Sequence, residues 1–142
     1  MYEDLMQRIK LHEGFVPKVY RDSLGYRTIG YGHLCKEDEV WEEDKEYSKE
    51  DLELVFKTDF NTALAHANSL TDSFDLHKDA KEVIIEMVFQ LGVGGVGKFK
   101  MMWKALKEKD YEEASKQMLD SLWAKQTPKR AESLANVMRS CA

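Results

Sequence analysis

HEGFVPKVYRDSLGYRTIGYGH, residues 12–33, packs a helix end, a turn and two extended runs into one short stretch. Upstream of it, from Asp4 to His12, Leu5, Ile9 and His12 recur at helical spacing, and Gly14 stands where a helix stops. A short helix therefore ends at Glu13. Val19-Tyr20, the turn residues Ser23-Leu24-Gly25 and the run Tyr26 to His33 then read as a hairpin with a glycine-containing turn. Gly30 and Gly32 fall on one face of the second strand and leave room there for another group to approach the backbone closely. Two carboxylic acids, Glu13 and Asp22, and one hydroxyl, Thr28, are thus carried by a short loop and a turn-linked strand pair.

Beyond this stretch the pattern becomes helical. Residues 36–47, KEDEVWEEDKEY, follow neither period and read as an acidic surface loop with Trp41 as its local anchor. Ser48 followed by Asp51 is a capping signal. Leu52, Val55, Phe56, Phe60, Ala63 and Leu64 then trace a long amphipathic helix able to join two lobes. After a polar break at residues 71–75, AKEVIIEMVFQL at 80–91 is apolar almost all round and belongs at the centre of a core. Gly92 to Gly97 satisfy the letters G-x-G-x-x-G, but the dinucleotide-binding motif must follow a strand and open a helix. Here it follows a helix and reads as a helix-to-helix turn. Further helices are expected over Phe99–Lys107, Tyr111–Leu122 and Lys129–Ser140, with Thr127-Pro128 starting the last.

The totals bound what this chain can be. Its 142 residues suit one domain, with room for two lobes, and 43% hydrophobic with 33% charged residues is a globular composition. No run approaches the roughly 20 apolar residues that span a bilayer. The acids near the N-terminus differ from the basic start of a signal peptide, so the expectation is a protein made and left in the cytoplasm. Cys35 and Cys141 have no metal-like spacing and are expected as free thiols. A net charge of -5 argues against nucleic-acid binding. The charge is uneven, with eleven acids against four bases over residues 36–59 and ten bases against six acids over 98–142.

Glycosidic hydrolysis needs one carboxylic acid to protonate the leaving oxygen and a second group on the other face of the sugar. Glu13 suits the first role, because the negative end of the helix macrodipole favours its neutral form, as would Phe15 and Tyr20 if they bury it. Asp22, in a polar turn, is the charged partner, and environments that separate two carboxyls assign acid and base. Thr28 can position a water beside Asp22, which suits single displacement with inversion. His33 is not read as a metal ligand, because His12, His66 and His77 are scattered and give no second ligand at metal spacing.

The spacing Glu, eight residues, Asp, five residues, Thr, inside E-G…Y-x-D…G-x-x-T-I-G-x-G-H, resembles the lysozyme (endolysin) family of tailed phages. The resemblance continues through MVFQLG at 87–92, Phe99 and WAKQTPKRA at 123–131, and so covers nearly the whole chain. It implies a lysozyme-like α+β fold, mostly helical: an N-terminal hairpin lobe over about 13–58 and a connecting helix over about 48–69. A helical lobe over about 70–142 would include the helix at 1–12. It implies cleavage of the β-1,4 bond between N-acetylmuramic acid and N-acetylglucosamine in bacterial peptidoglycan, by Glu13, Asp22 and Thr28, without cofactor or metal. Implied substrate contacts are Leu34, Phe89, Gln90, Phe99, Met102, Gln117 and Arg130, the last matching a basic residue that faces the acid. His33 would pair with Asp59, and Trp123 belongs to the core.

Two departures from the family pattern stand out. Leu24 and Leu122 replace an opposite-charge pair across the cleft mouth, and the acidic loop at 36–47 is shorter. The resemblance further implies host lysis once a holin has permeabilised the membrane; a monomer is the default expectation, and the lack of a long apolar run leads to the expectation of no stable membrane association. The alternatives are an inactive peptidoglycan-binding or tail-associated module, and a transglycosylase that needs only one acid.

Overall fold

The computed structural model describes residues 1–142, with seven helices and a three-stranded sheet. The architecture is α+β and mostly helical, as the resemblance implies. Contacts divide the chain into two compact units, Met1–Thr62 and Ala63–Ala142. This division sets the first helix with the hairpin unit, whereas the resemblance groups residues 1–12 with the helical lobe.

In the first unit, α1 (Glu3–Glu13) carries Glu3 and Asp4 in its first turn and Lys10 and His12 in its last, both favourable to the helix dipole. Leu5 and Ile9 bury its inner face, and Gly14, with φ 75°, donates its N–H to the Lys10 carbonyl and ends the helix. The expected hairpin is β1 (Val16–Arg21) paired antiparallel with β2 (Arg27–Gly30), with Tyr20 opposite Thr28 and Arg21 opposite Arg27. The long second strand expected over Tyr26–His33 is instead two strands. The chain turns at Gly30 and Gly32, both at positive φ, and β3 (His33–Leu34) folds back on β2 with Leu34 opposite Thr28 and His33 opposite Ile29.

The two glycines do make room, each for a different neighbour. At Gly30 a β-carbon would meet Leu52 Cδ2 at 3.3 Å, and at Gly32 it would meet the Glu13 carboxyl. Leu52, Phe56 and Phe60 of α2 (Lys49–Leu70) are buried with Ile29 and Tyr31, and the Tyr31 and Phe56 rings meet edge to face at 5.4 Å. Ser48 Oγ accepts from the Asp51 N–H at 3.1 Å, the expected cap.

In the second unit, α3 (Lys78–Gly97) buries Ala80 and an unbroken run from Val83 to Val88. The glycine cluster is not a simple turn: the backbone leaves helical geometry at Gly92 (φ 79°, ψ 163°), and the chain continues as helix to Gly97. Next come α4 (Lys100–Lys107), α5 (Tyr111–Leu119), α6 (Leu122–Gln126) and α7 (Pro128–Ser140). The single helix expected over Tyr111–Leu122 breaks after Leu119, because Ser121 Oγ caps a new helix by accepting from the Ala124 N–H. Met102, Leu106, Met118, Trp123, Leu134 and Met138 are among the buried side chains of this unit.

Candidate active site

Glu13 is the last residue of α1, and its carboxyl rests against the backbone of Gly32. The glycine has no side chain to push it away. Tyr20 sits between the two acids in an electrostatic sense. Burial first, then the negative charges of Glu13 and Asp22, push its phenol above the usual range. Both carboxylates therefore bear on one ring, and Tyr20 faces Thr28 across the β1–β2 ladder.

Asp22 closes the hairpin turn. Its Oδ1 accepts the N–H groups of Leu24 and Tyr26, each at 2.9 Å, so one carboxylate oxygen is held by the turn's backbone. Thr28 is almost fully buried, and its hydroxyl donates to the Tyr26 carbonyl at 2.9 Å. With its hydrogen so engaged, the Thr28 oxygen can only accept from a water.

His33 is buried on β3 with both ring nitrogens engaged: Nδ1 lies 2.8 Å from Asp59 Oδ2 and Nε2 lies 2.9 Å from Glu39 Oε1. Burial works against its charge, but hydrogen bonds to Asp59 and Glu39 outweigh it and raise its pKa. Glu39 is likewise partly buried. Hydrogen bonds from the Lys36 N–H, His33 and the Trp41 indole prevail and hold its carboxyl down at about 2. The acidic loop is thus pinned: Arg27 binds Glu43 and the Trp41 carbonyl, and Trp41 meets Tyr47 edge to face.

The remaining candidates are spread over both units. Leu34, on β3, is half exposed. In the second unit Phe99, Met102 and Gln117 line one cavity of about 570 Å³ together with Leu91, Leu122 and Trp123. Met102 itself exposes no surface, and the Gln117 amide is engaged with Glu113 at 2.7 Å. Phe89 is half-buried on α3. Gln90 is occupied structurally: its oxygen accepts the Trp123 indole N–H at 2.9 Å, and its nitrogen reaches Thr127 at 3.4 Å. Trp123 is core, as expected. Arg130 Nε donates to Glu86 at 3.0 Å, and the Glu86 side chain is fully buried. Leu24 and Leu122 are each about two-thirds exposed. Cys35 and Cys141 are free thiols, and burial pushes both up.

Sequence reading alone missed Glu39 and Glu86. Glu39 lies among many acids in an aperiodic loop, and Glu86 is the one acid inside the apolar run 83–89, a signal that a buried partner is needed.

The family model for phage lysozyme matches residues 10–140. A probable T4-type lysozyme 1 of Dictyostelium discoideum is 31% identical, with 99% of this chain and 96% of that protein covered, and a probable T4-type lysozyme 2 of the same organism is 28% identical over the same shares. The pre-baseplate central spike protein Gp5 of Enterobacteria phage T4 is 32% identical over 89% of this chain, which corresponds to 26% of that protein. With that match over nearly its full length, the chain belongs to the phage lysozyme family and is a muramidase-type glycoside hydrolase.

Proposed function

We propose that this lysozyme hydrolyses the β-1,4 bond between N-acetylmuramic acid and N-acetylglucosamine in peptidoglycan by a single displacement. Glu13 protonates the leaving glycosidic oxygen. A water on the opposite face of the sugar donates one hydrogen to the Thr28 oxygen and the other to the Asp22 carboxylate, which directs its lone pair at the anomeric carbon. The new C–O bond forms as the old one breaks, and the configuration inverts. The observation that supports this most is the Thr28 hydroxyl: its bond to the Tyr26 carbonyl makes it an acceptor for water and not a donor. Candidate glycan contacts are Leu34 in the first unit and, taken separately, Phe99 and Gln117 of the cavity in the second, with Phe89, Gln90, Met102 and Arg130 as further candidates.

Proton NMR of the new anomeric centre tests the mechanism. The α anomer should appear first, and the β anomer as first product would mean retention. Mass spectrometry of the muropeptides, with an anhydro product instead of water addition, would identify a transglycosylase.

For biology, the proposal is host lysis by a protein that meets the wall after a holin opens the membrane. No helix is long and apolar enough to cross a membrane. A tail-associated role is the second reading, favoured by the similarity to the phage T4 spike protein.

A further inference from the structure

The imidazole of His33 joins three segments at once. It stands on β3, Asp59 reaches its Nδ1 from α2, and Glu39 reaches its Nε2 from the acidic loop. Two ionised carboxylates are acceptors only, so both ring nitrogens must be donors, and the one ring that satisfies both is the imidazolium. A neutral ring would set a lone pair against a carboxylate oxygen and leave two negative groups facing each other across it. Trp41 covers the ring, with centroids 5.9 Å apart. On the sheet side Arg27 of β2 and Glu43 of the loop satisfy each other at 2.9 Å, and the neighbouring thiol is Cys35.

Glu39 Oε1 accepts three hydrogen bonds: from His33, from the Lys36 N–H and from the Trp41 indole. It therefore ties the start of the loop to β3, and β3 in turn is paired with β2 at Thr28 and carries the exposed Leu34. We propose that Glu39 is a positioning residue for the hydrolytic site: through the His33 imidazolium it clamps β3 and the loop to α2, and loss of the His33 proton releases the clamp and weakens glycan binding. This rests on the reading of Thr28 and Leu34 as parts of that site.

The clamp makes a coupled expectation in three measurements. NMR titration of the His33 ring gives its midpoint. Over the same pH interval, exchange protection should fall at the Trp41 indole and at the Cys35 N–H, which donates to the Arg27 carbonyl at the end of the β2–β3 ladder. Affinity for soluble glycan strands freed from peptidoglycan, measured in a Glu13→Gln background so that ionisation of the acid does not enter, should weaken roughly tenfold with that midpoint.

Glu39→Gln keeps an oxygen for Lys36 and Trp41 but removes the charge. It should lower the ring midpoint by about one pH unit or more, and the affinity midpoint should move with it. Asp59→Asn should act in the same direction and serves if Glu39→Gln does not fold. Protection that persists through the ring midpoint overturns the clamp. A ring midpoint that moves while the affinity midpoint stays overturns the positioning role, because a merely structural pair would behave that way. Wild-type protein that binds glycan but does not hydrolyse it removes the proposed reaction alone, since none of these measurements needs turnover.

Discussion

The carboxyl carbon of Glu13 lies 2.9 Å from where a β-carbon on Gly32 would stand. No side chain fits there without moving the acid, and the backbone at φ 75° disfavours any residue but glycine. Gly32→Ala should cost about 1 to 2 kcal/mol from the left-handed backbone alone. It should also lower wall hydrolysis by more than unfolding accounts for. Equilibrium denaturation beside a reducing-end assay of hydrolysis separates the two effects. Full specific activity in the folded variant would show that the acid tolerates displacement.

Glu13→Gln should retain the fold and lose at least about 10² to 10⁴-fold in rate, the usual contribution of positioned proton transfer. Rates on purified walls above a tenth of wild type would remove Glu13 from the role of acid.

Asp22→Asn is a sharper test of the base side. An asparagine oxygen can still accept from Leu24 and Tyr26, so the turn should survive and the denaturation midpoint should hardly change. Activity should nevertheless fall by about 10²-fold or more, because the group that receives the water proton is gone. Loss of stability in parallel with activity would assign Asp22 to the turn only.

The acid flank and the alkaline flank of stability should have different owners. Glu39 is held down at about 2, so its contribution is complete above its ordinary range near 4.5 and is lost as pH falls through 2. The His33 pKa is raised, so its contribution is complete below about 6.5 and is lost as pH rises through the folded value. Stability from the pair should therefore be greatest between roughly 4.5 and 6.5. Denaturant midpoints for Glu39→Gln that parallel wild type across both flanks would contradict this.

Arg130 and Glu86 form a largely dehydrated pair, with side-chain exposures of 9% and 0%. Arg130→Met alone should cost about 3 to 5 kcal/mol, because it removes a charged partner from a fully buried carboxylate. Combining it with Glu86→Met should recover part of that loss, and a double-mutant cycle by chemical denaturation measures the coupling. Simple additivity would mean that the two charges do not depend on each other.

Periodicity made most of the helices legible: the inner face of α1 and the capped start of α2 follow from residue spacing and the Ser48 signal. What it could not show is backbone reversal at positive φ. The turn at Gly30 and Gly32 looks like strand in the sequence because Tyr31 and Ile29 have strand propensity, and Gly92 looks like a helix end although helix resumes after it. The site follows the same division. Glu13, Asp22 and Thr28 stand in a distinctive spacing, whereas Glu39 acquires its meaning only when β3 folds back and brings His33 beside the loop.

Trp41 is also a spectroscopic handle on folding. Of the tryptophans at 41, 103 and 123, it alone belongs to residues 1–62. With Trp103 and Trp123 replaced by phenylalanine, emission would come from the first unit only, and circular dichroism would still average over all seven helices. Coincident transitions by the two probes would make the units one cooperative entity, and separated ones would make the chain a two-step folder.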